Sequence, residues 1–373
     1  MLELCDGQFT EVTVFIYEEY YRDLKHILQN YHFSFQLNFI SKANKSNQDF
    51  IRHFFSYFRK EQFTHIHINT LENNLLLFAL KLLFVRRVKL SMTIHSINAF
   101  RYNKYSTIKD ISESIAKKIL QYYIHQYRVL APEMSSYFES LFPQKKVHFI
   151  PGMFYRNILQ KSTDDYFLIV VPGTVSEKRR NYDDIVNLFQ RIAGQYASSK
   201  KIHLVLAGNA DSIYGRKIIE KLKETTQTNF KISYFFRYLK QTEYENFYRT
   251  ADIILAPVQV ITRGIRNEEE INGISHSPGF ITDQIYIGRP AVIPASLSIP
   301  IEFRGCYWRY DSAEELNKII IEILQNPSQI SEKQKLISIA CSFFQPVRFQ
   351  SAFQVMTETN RLDQKDNFTS SRQ

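Results

Sequence analysis

Short β-rich runs alternate with helical stretches along almost the whole 373-residue chain, and this rhythm restricts the fold more than any other feature. In the first half, Glu11–Tyr17, Phe63–Asn69, Val88–His95 and Tyr127–Ala131 read as strands, with helices expected over Asn73–Phe84 and Thr107–His125. In the second half DYFLIVVPG, KIHLVLAGN, FKISYFF, ADIILAPV and PAVIPAS read as strands. They are separated by helical NYDDIVNLFQRIAGQY, SIYGRKIIEKLKE and QTEYENFYRT. A parallel strand pair needs a crossover long enough to hold a helix, so the alternation predicts parallel sheets covered by helices on both faces. The Pro-bounded stretch around Pro143–Asn157 reads as a linker. The expected fold is therefore α/β, with two Rossmann-like domains facing a cleft, 1–150 and 151–345. A helix over 346–361 is expected to cross back to the first domain, followed by a polar tail, 362–373.

Composition supports two packed cores and excludes a solvated, disordered chain, since 44% of residues are hydrophobic and 14% aromatic. Cys5, Cys306 and Cys341 are odd in number and widely separated, with no spacing that could hold zinc, which predicts reduced thiols and no metal. The N-terminal segment is acidic and lacks the basic and long apolar regions of a signal peptide, so a cytoplasmic location is expected. The apolar run Leu75–Val85 is interrupted by Lys81 and is far shorter than the roughly 20 residues that span a bilayer.

The formal charge is +10, and residues 1–160 hold +7 of it, from 20 Lys and Arg against 13 Asp and Glu. The first half is thus the one expected to meet a polyanion or an anionic membrane. Phe50–Lys60 (FIRHFFSYFRK) and Phe84–Leu90 (FVRRVKL) interleave aromatic and cationic residues there. They read equally as a membrane-resting surface or as an ordinary helix and strand. No nucleic-acid recognition module accompanies the charge, so nucleic acid is not an expected partner.

Ligands of open parallel sheets bind beyond the carboxyl ends of the strands, which directs attention to four loops. Val171–Tyr182 (VPGTVSEKRRNY) follows a strand and enters a helix. Gly173 permits close backbone approach, and Lys178, Arg179 and Arg180 cluster where the helix dipole disfavours cations unless an anion binds. In Gly273–Pro290, Ser277 can cap a helix, Pro278 suits its first position, Gly279 leaves amides open to an anion, and Asp283 can accept hydrogen bonds from a ribose diol. His95 ends a strand facing the cleft and can hydrogen-bond a sugar hydroxyl. Glu268, Glu269 and Glu270 read as a solvated loop, because no ligand set for a metal surrounds them.

Taken together, PG-x-V-x-x-K-R-R-N-Y after a strand, then HLVLAGN, ADIILAPV and G-x(14)-G-R-P-A-V-I-P resemble the GT-B glycosyltransferases, and most closely glycosyltransferase family 4 of bacterial surface-polysaccharide synthesis. FTHIHINT and the TIH strand end match the first domain more loosely. The likeness runs from about Val12 to Thr359, with specific motifs between Phe167 and Pro300.

The resemblance implies a nucleotide-diphosphate sugar bound on the second domain and a glycan or lipid-diphosphate-linked acceptor on the first, the latter placing the protein at the inner face of the membrane. No cofactor or metal is implied beyond that co-substrate. Gly173 and Gly279 would line the diphosphate, and one or more of Lys178, Arg179 and Arg180 would neutralise it, although Thr174 stands where the family carries arginine. The family's two glutamates map onto Ser275 and Asp283. Asp283 would hold the ribose, while Ser275, His276 and Ser277 would contact the donor sugar. His95 becomes the catalytic candidate. The implied chemistry is retaining glycosyl transfer through an oxocarbenium-like transition state, with charge on the leaving diphosphate stabilised by the cations and the helix N-terminus. Two readings compete with it: a nucleotide-sugar epimerase of the same architecture, and a silent GT-B subunit that binds nucleotide sugar or a partner transferase.

Overall fold

The computed structural model describes residues 1–28, 32–42, 47–69, 74–85, 88–160, 165–196, 201–225, 229–264 and 267–357. Arg86, Arg87, the part of the expected terminal helix beyond Thr357, and the polar tail lie outside these residues.

Every strand pair in the first half is parallel. β1 (Glu11–Tyr17) pairs with β2 (Gln36–Lys42), and β3 (His65–Ile68), β4 (Lys89–Ile94), β5 (Gln126–Val129) and β6 (Lys146–Phe149) form a four-stranded sheet in chain order. Strand β6 lies inside the stretch read as a linker, which is corrected: KVHF forms the last rung of the sheet, and the chain leaves it only at Ile150. Short edge strands of this kind carry too little periodic signal to stand out.

The second half forms one parallel six-stranded sheet. Its strands are β7 (Phe167–Pro172), β8 (Ile202–Asn209), β9 (Phe230–Phe235), β10 (Ile253–Leu255), β13 (Ala291–Pro294) and β14 (Trp308–Tyr310), ordered β9-β8-β7-β10-β13-β14. β11 (Ile261–Arg263) and β12 (Glu269–Ile271) make a separate antiparallel hairpin. Strand order reverses between β7 and β10, so a topological switch point opens at their carboxyl ends.

Alternation along the strands feeds two cores. Ile169, Val171, Leu204, Leu206, Ile253 and Leu255 face one helical layer, whereas Leu168, Val170, Val205, Ala207 and Ile254 face the other. Nearly continuous apolar strands are what burial on both faces requires. A third cluster fills the first half, and a fourth joins Leu4, Cys5, Ile150 and Phe154 to Phe353 and Met356 of the helix Pro346–Thr357. That last helix thereby ties the end of the described chain to its beginning.

The aromatic rings of Phe50–Lys60 do not form an outward surface. Phe54 and Phe55 lie against Phe78, Phe58 stacks on Phe63, and Phe50 stacks on Tyr17. The interleaved cations of that helix, Arg52, Arg59 and Lys60, point to solvent, as do His53 and Ser56.

Candidate functional site

The loop after β7 lies at the switch point and is stitched to the loop after β10. Asn181 donates its amide to Pro257 O at 3.0 Å, and Arg180 forms an isolated bridge with Val258. Gly173 adopts a φ of +82°, and a Cβ there would collide with the Arg180 guanidinium, which folds back over it and donates to Thr174 O at 3.1 Å. Gly208 on β8 permits the same crowding from behind, since a Cβ there would strike the Gly173 and Thr174 backbone. The three clustered cations therefore separate. Arg180 is half-buried in the crevice, with its Nε buried and without a partner, whereas Lys178 and Arg179 are exposed.

The helix Gly279–Ile287 starts near this region, since the Arg179 charge acts on His276 just before it and the Arg180 charge acts on its Asp283. Its N-cap is Pro278 rather than Ser277, and no side chain caps it. The expected register is corrected by one residue: Ser277 Oγ is buried and unpartnered, and the first amides keep the donor capacity that an anion uses. A Cβ on Gly279 would meet nothing within 4 Å, so the approach is open.

Asp283, one turn further on, accepts a hydrogen bond from the Tyr244 hydroxyl at 2.5 Å. Burial pushes its carboxyl up to about 7, against the pull of the Tyr244 hydroxyl and the Arg180 charge. Tyr244 was not legible as a site residue, because the spacing of QTEYENFYRT marks it only as part of a helix.

The raised midpoint has a thermodynamic sign. The folded state keeps the Asp283 proton between its ordinary value of 3.8 and about 7, so this group's contribution to stability falls as pH rises through that window. Asp283→Asn is expected to stabilise the fold by about 1–2 kcal/mol above pH 8, or roughly 2–8 °C in Tm, and to lose that advantage near pH 4. A Tm difference that does not change with pH would contradict this assignment.

The second half meets the first beside the same crevice. Ser96 caps the short helix Ile97–Arg101 that follows β4, and its hydroxyl also donates to the Glu270 carboxylate. Glu270 further accepts the Ala99 amide at 3.0 Å and the Ser275 hydroxyl, while Ile97 donates its amide to Ser275 O at 2.8 Å. Asn98 reaches Glu269 O at 2.7 Å. The triple glutamate is thus no solvated loop. β12 alternates, so Glu268 and Glu270 are buried and Glu269 is exposed. Burial pushes the Glu270 carboxyl up, with its three donors pulling it back.

This clamp also corrects Ser275. The residue is fully buried and spends both its hydroxyl and its carbonyl on the junction, so it presents nothing to a donor sugar. His276 is half-buried, shares Nδ1 with Asn272 Oδ1 at 2.9 Å, and is pushed down to about 4 by burial and by the charges of Arg179 and His95, which keeps it neutral. His95 is exposed at the end of β4 and contacts Asn69 O through Nε2 at 3.0 Å. A carbonyl can only accept, so Nε2 carries the proton and Nδ1 is the basic nitrogen.

Beside the clamp, a groove of about 480 Å³ is lined by Asn98, Arg101, Tyr102, Asn103, Tyr137 and the Asn267–Glu269 turn. Among the described residues, no cluster of histidine, cysteine or carboxylate side chains could hold a metal ion, and Cys5, Cys306 and Cys341 are buried free thiols.

No protein-family model matches the chain. No curated protein matches it in sequence. Its likeness is to solved structures. Anabaena HepE, solved in complex with UDP, superposes with a TM-score of 0.61 at 13% identity over 96% of this chain and 95% of that one. Sucrose-phosphate synthase of Thermosynechococcus elongatus gives 0.55 at 12% identity, covering 84% and 80%. The UDP-forming α,α-trehalose-phosphate synthase of Burkholderia vietnamiensis gives 0.53 at 12%, covering 83% and 76%. The architecture is that of the GT-B glycosyltransferases, with two Rossmann-like domains built on parallel sheets.

Proposed function

We propose that the chain is a glycosyltransferase that moves a sugar from a nucleoside-diphosphate sugar to an acceptor hydroxyl. The observation that carries this reading is the Arg180 guanidinium folded back over Gly173 at the switch point, with its charge reaching the Asp283 carboxyl of a helix that starts uncapped at Gly279. Solved neighbours of the same fold include HepE, determined in complex with UDP, and a UDP-forming trehalose-phosphate synthase, which supports a diphosphate leaving group.

In this reading Arg180 and the amides of Gly279 and Phe280 stabilise the charge that grows on the leaving diphosphate. Ser277 Oγ and His276 border the donor sugar, and Asp283 accepts a ribose hydroxyl. The groove along Arg101–Asn103 admits the acceptor, a glycan or a lipid-linked glycan. Transfer proceeds with retention: the leaving phosphate takes the acceptor proton, and His95, with Nδ1 as its basic nitrogen, contacts the reacting sugar.

The burial of Ser275 favours one other reading, a GT-B subunit that binds nucleotide without turnover, because no carboxylate faces the donor sugar from that position. A thermal-shift screen against uridine, guanosine, adenosine and cytidine diphosphates and their sugar conjugates tests binding. One base is expected to raise Tm by several degrees at about 100 times its Kd. No shift with any of them, from a folded sample, would overturn the proposal. Donor turnover that rises when an acceptor is added separates the transferase from the silent subunit.

A further inference from the structure

We infer that Tyr244 is a specificity-determining positioning residue of the nucleotide crevice: by engaging one oxygen of Asp283, it makes that carboxylate read one hydroxyl of a ribose 2′,3′-diol in preference to the other. The inference rests on the nucleoside-diphosphate reading above and sharpens its ligand. A carboxylate with both oxygens free can accept the two hydroxyls of a diol together, one on each oxygen. Asp283 is not free in that way, because the Tyr244 hydroxyl donates to its Oδ2 at 2.5 Å. Oδ1 has no hydrogen-bond partner among the described residues and is the oxygen left for a ligand. A second hydroxyl brought to Oδ2 would have to share an acceptor whose charge the phenol already draws on.

The phenol is held in place before any ligand arrives. Tyr244 and Tyr248 stand one turn apart on the helix Gln241–Thr250, with ring centroids 5.9 Å apart, and Tyr244 packs against the second-half core. Tyr248 is fully buried, and its hydroxyl accepts from Gln284 Nε2 at 2.9 Å, while Gln284 Oε1 accepts the Arg289 amide at 3.1 Å. Neighbouring Asp283 and Gln284 are thus each tied to a tyrosine of one facing helix, which fixes where the carboxylate stands. Burial and the adjoining Asp283 charge push the Tyr244 phenol well above its ordinary range, so it keeps its proton and remains a donor.

Two charged groups besides Tyr244 act on Asp283: Arg180 from the loop after β7 favours the carboxylate, and Glu245 of the facing helix opposes it. Arg180 serves the diphosphate and Asp283 the ribose, which are adjoining parts of one nucleotide, as the reach of the one charge to the other requires. An ionised carboxylate makes the stronger hydrogen bond to a hydroxyl. Asp283 loses its proton around pH 7, so ribose recognition strengthens as pH rises through that point. Tyr244→Phe removes a donor that favours the ionised form, and the midpoint of this pH dependence moves up.

Calorimetric titration of the full chain with uridine, 2′-deoxyuridine and 3′-deoxyuridine diphosphates, above the Asp283 midpoint, tests the inference; the adenosine, guanosine or cytidine set takes their place if the thermal-shift screen selects that base. For the parent protein, one deoxy compound is expected to bind within about twofold of the ribose compound and the other about tenfold or more weakly. In Tyr244→Phe, Oδ2 becomes available, and both deoxy compounds should fall about fivefold or more below the ribose compound. Asp283→Asn should narrow both differences, and adding Tyr244→Phe to it should change neither further. Thermal unfolding of each variant confirms folding, and the comparison within the parent needs no variant. Two results would overturn this inference alone: both deoxy compounds affecting the parent alike, or Tyr244→Phe leaving the discrimination and the pH midpoint where they were. A parent that binds none of the four ribonucleoside diphosphates would overturn the nucleotide reading along with it.

Discussion

Replacing Arg180 with alanine is expected to weaken nucleoside-diphosphate binding about 100-fold, or roughly 3 kcal/mol, while leaving the affinity for the bare nucleoside nearly unchanged. Sequence offers three adjacent cations without distinguishing them. The fold selects one, because the turn at Gly173 and the missing side chain at Gly208 leave room for the Arg180 guanidinium over the switch point. Its Nε is buried without a partner, which makes it a charge already stripped of much of its water. Lys178→Ala and Arg179→Ala should cost only a few-fold, since exposed cations act through screened charge. Arg180→Lys should recover only part of the loss, because a point charge cannot reproduce the planar fork on a phosphate. Calorimetric titration with the best nucleoside diphosphate and with its nucleoside measures all four variants. Equal losses for both ligands, or an equal loss in Lys178→Ala, would contradict the assignment.

Glu270→Ala is expected to cost about 3 kcal/mol of stability and to loosen the two halves. The carboxylate accepts from Ser96, Ala99 and Ser275, drawing together a helix N-terminus of the first half and the turn of the second. Alanine would take the carboxylate acceptor from the Ser96 and Ser275 hydroxyls and leave the Ala99 amide with Ser96 Oγ alone. Glu270→Gln should fall between the two, as one of its atoms becomes a donor facing donors. Urea denaturation reports the energy, and small-angle scattering reports the loosening as a larger radius of gyration. A stability within about 0.5 kcal/mol of the parent, with an unchanged scattering curve, would show that the junction does not depend on this group.

Much of the fold was legible because parallel α/β structure writes itself locally. DYFLIVVPG, KIHLVLAGN and ADIILAPV are apolar on consecutive residues, as strands buried on both faces must be, and each closes on a turn where ligands of such sheets gather. That rule drew attention to Gly173, to the cluster Lys178, Arg179 and Arg180, and to Gly279 and Asp283; of the three cations, Arg180 lies over Gly173 and its charge acts on Asp283. The rule also located His95, whose charge is among those that push His276 down.

What escaped it shares a single cause. Glu270 reads as one of three solvated glutamates and Ser275 as a sugar contact until their distant neighbours are known. Ser96 and Glu270 are 174 positions apart. Periodicity records which way a residue points relative to its own strand or helix, and the chain by itself determined that much: parallel sheets, two halves and cationic, glycine-bearing strand ends. Whether the direction leads to water, to the other half or to an uncovered face depends on docking between segments far apart in the chain. Tertiary structure alone therefore decided that a carboxylate would be buried at the junction and that one cation of three would fold back over the switch-point glycine.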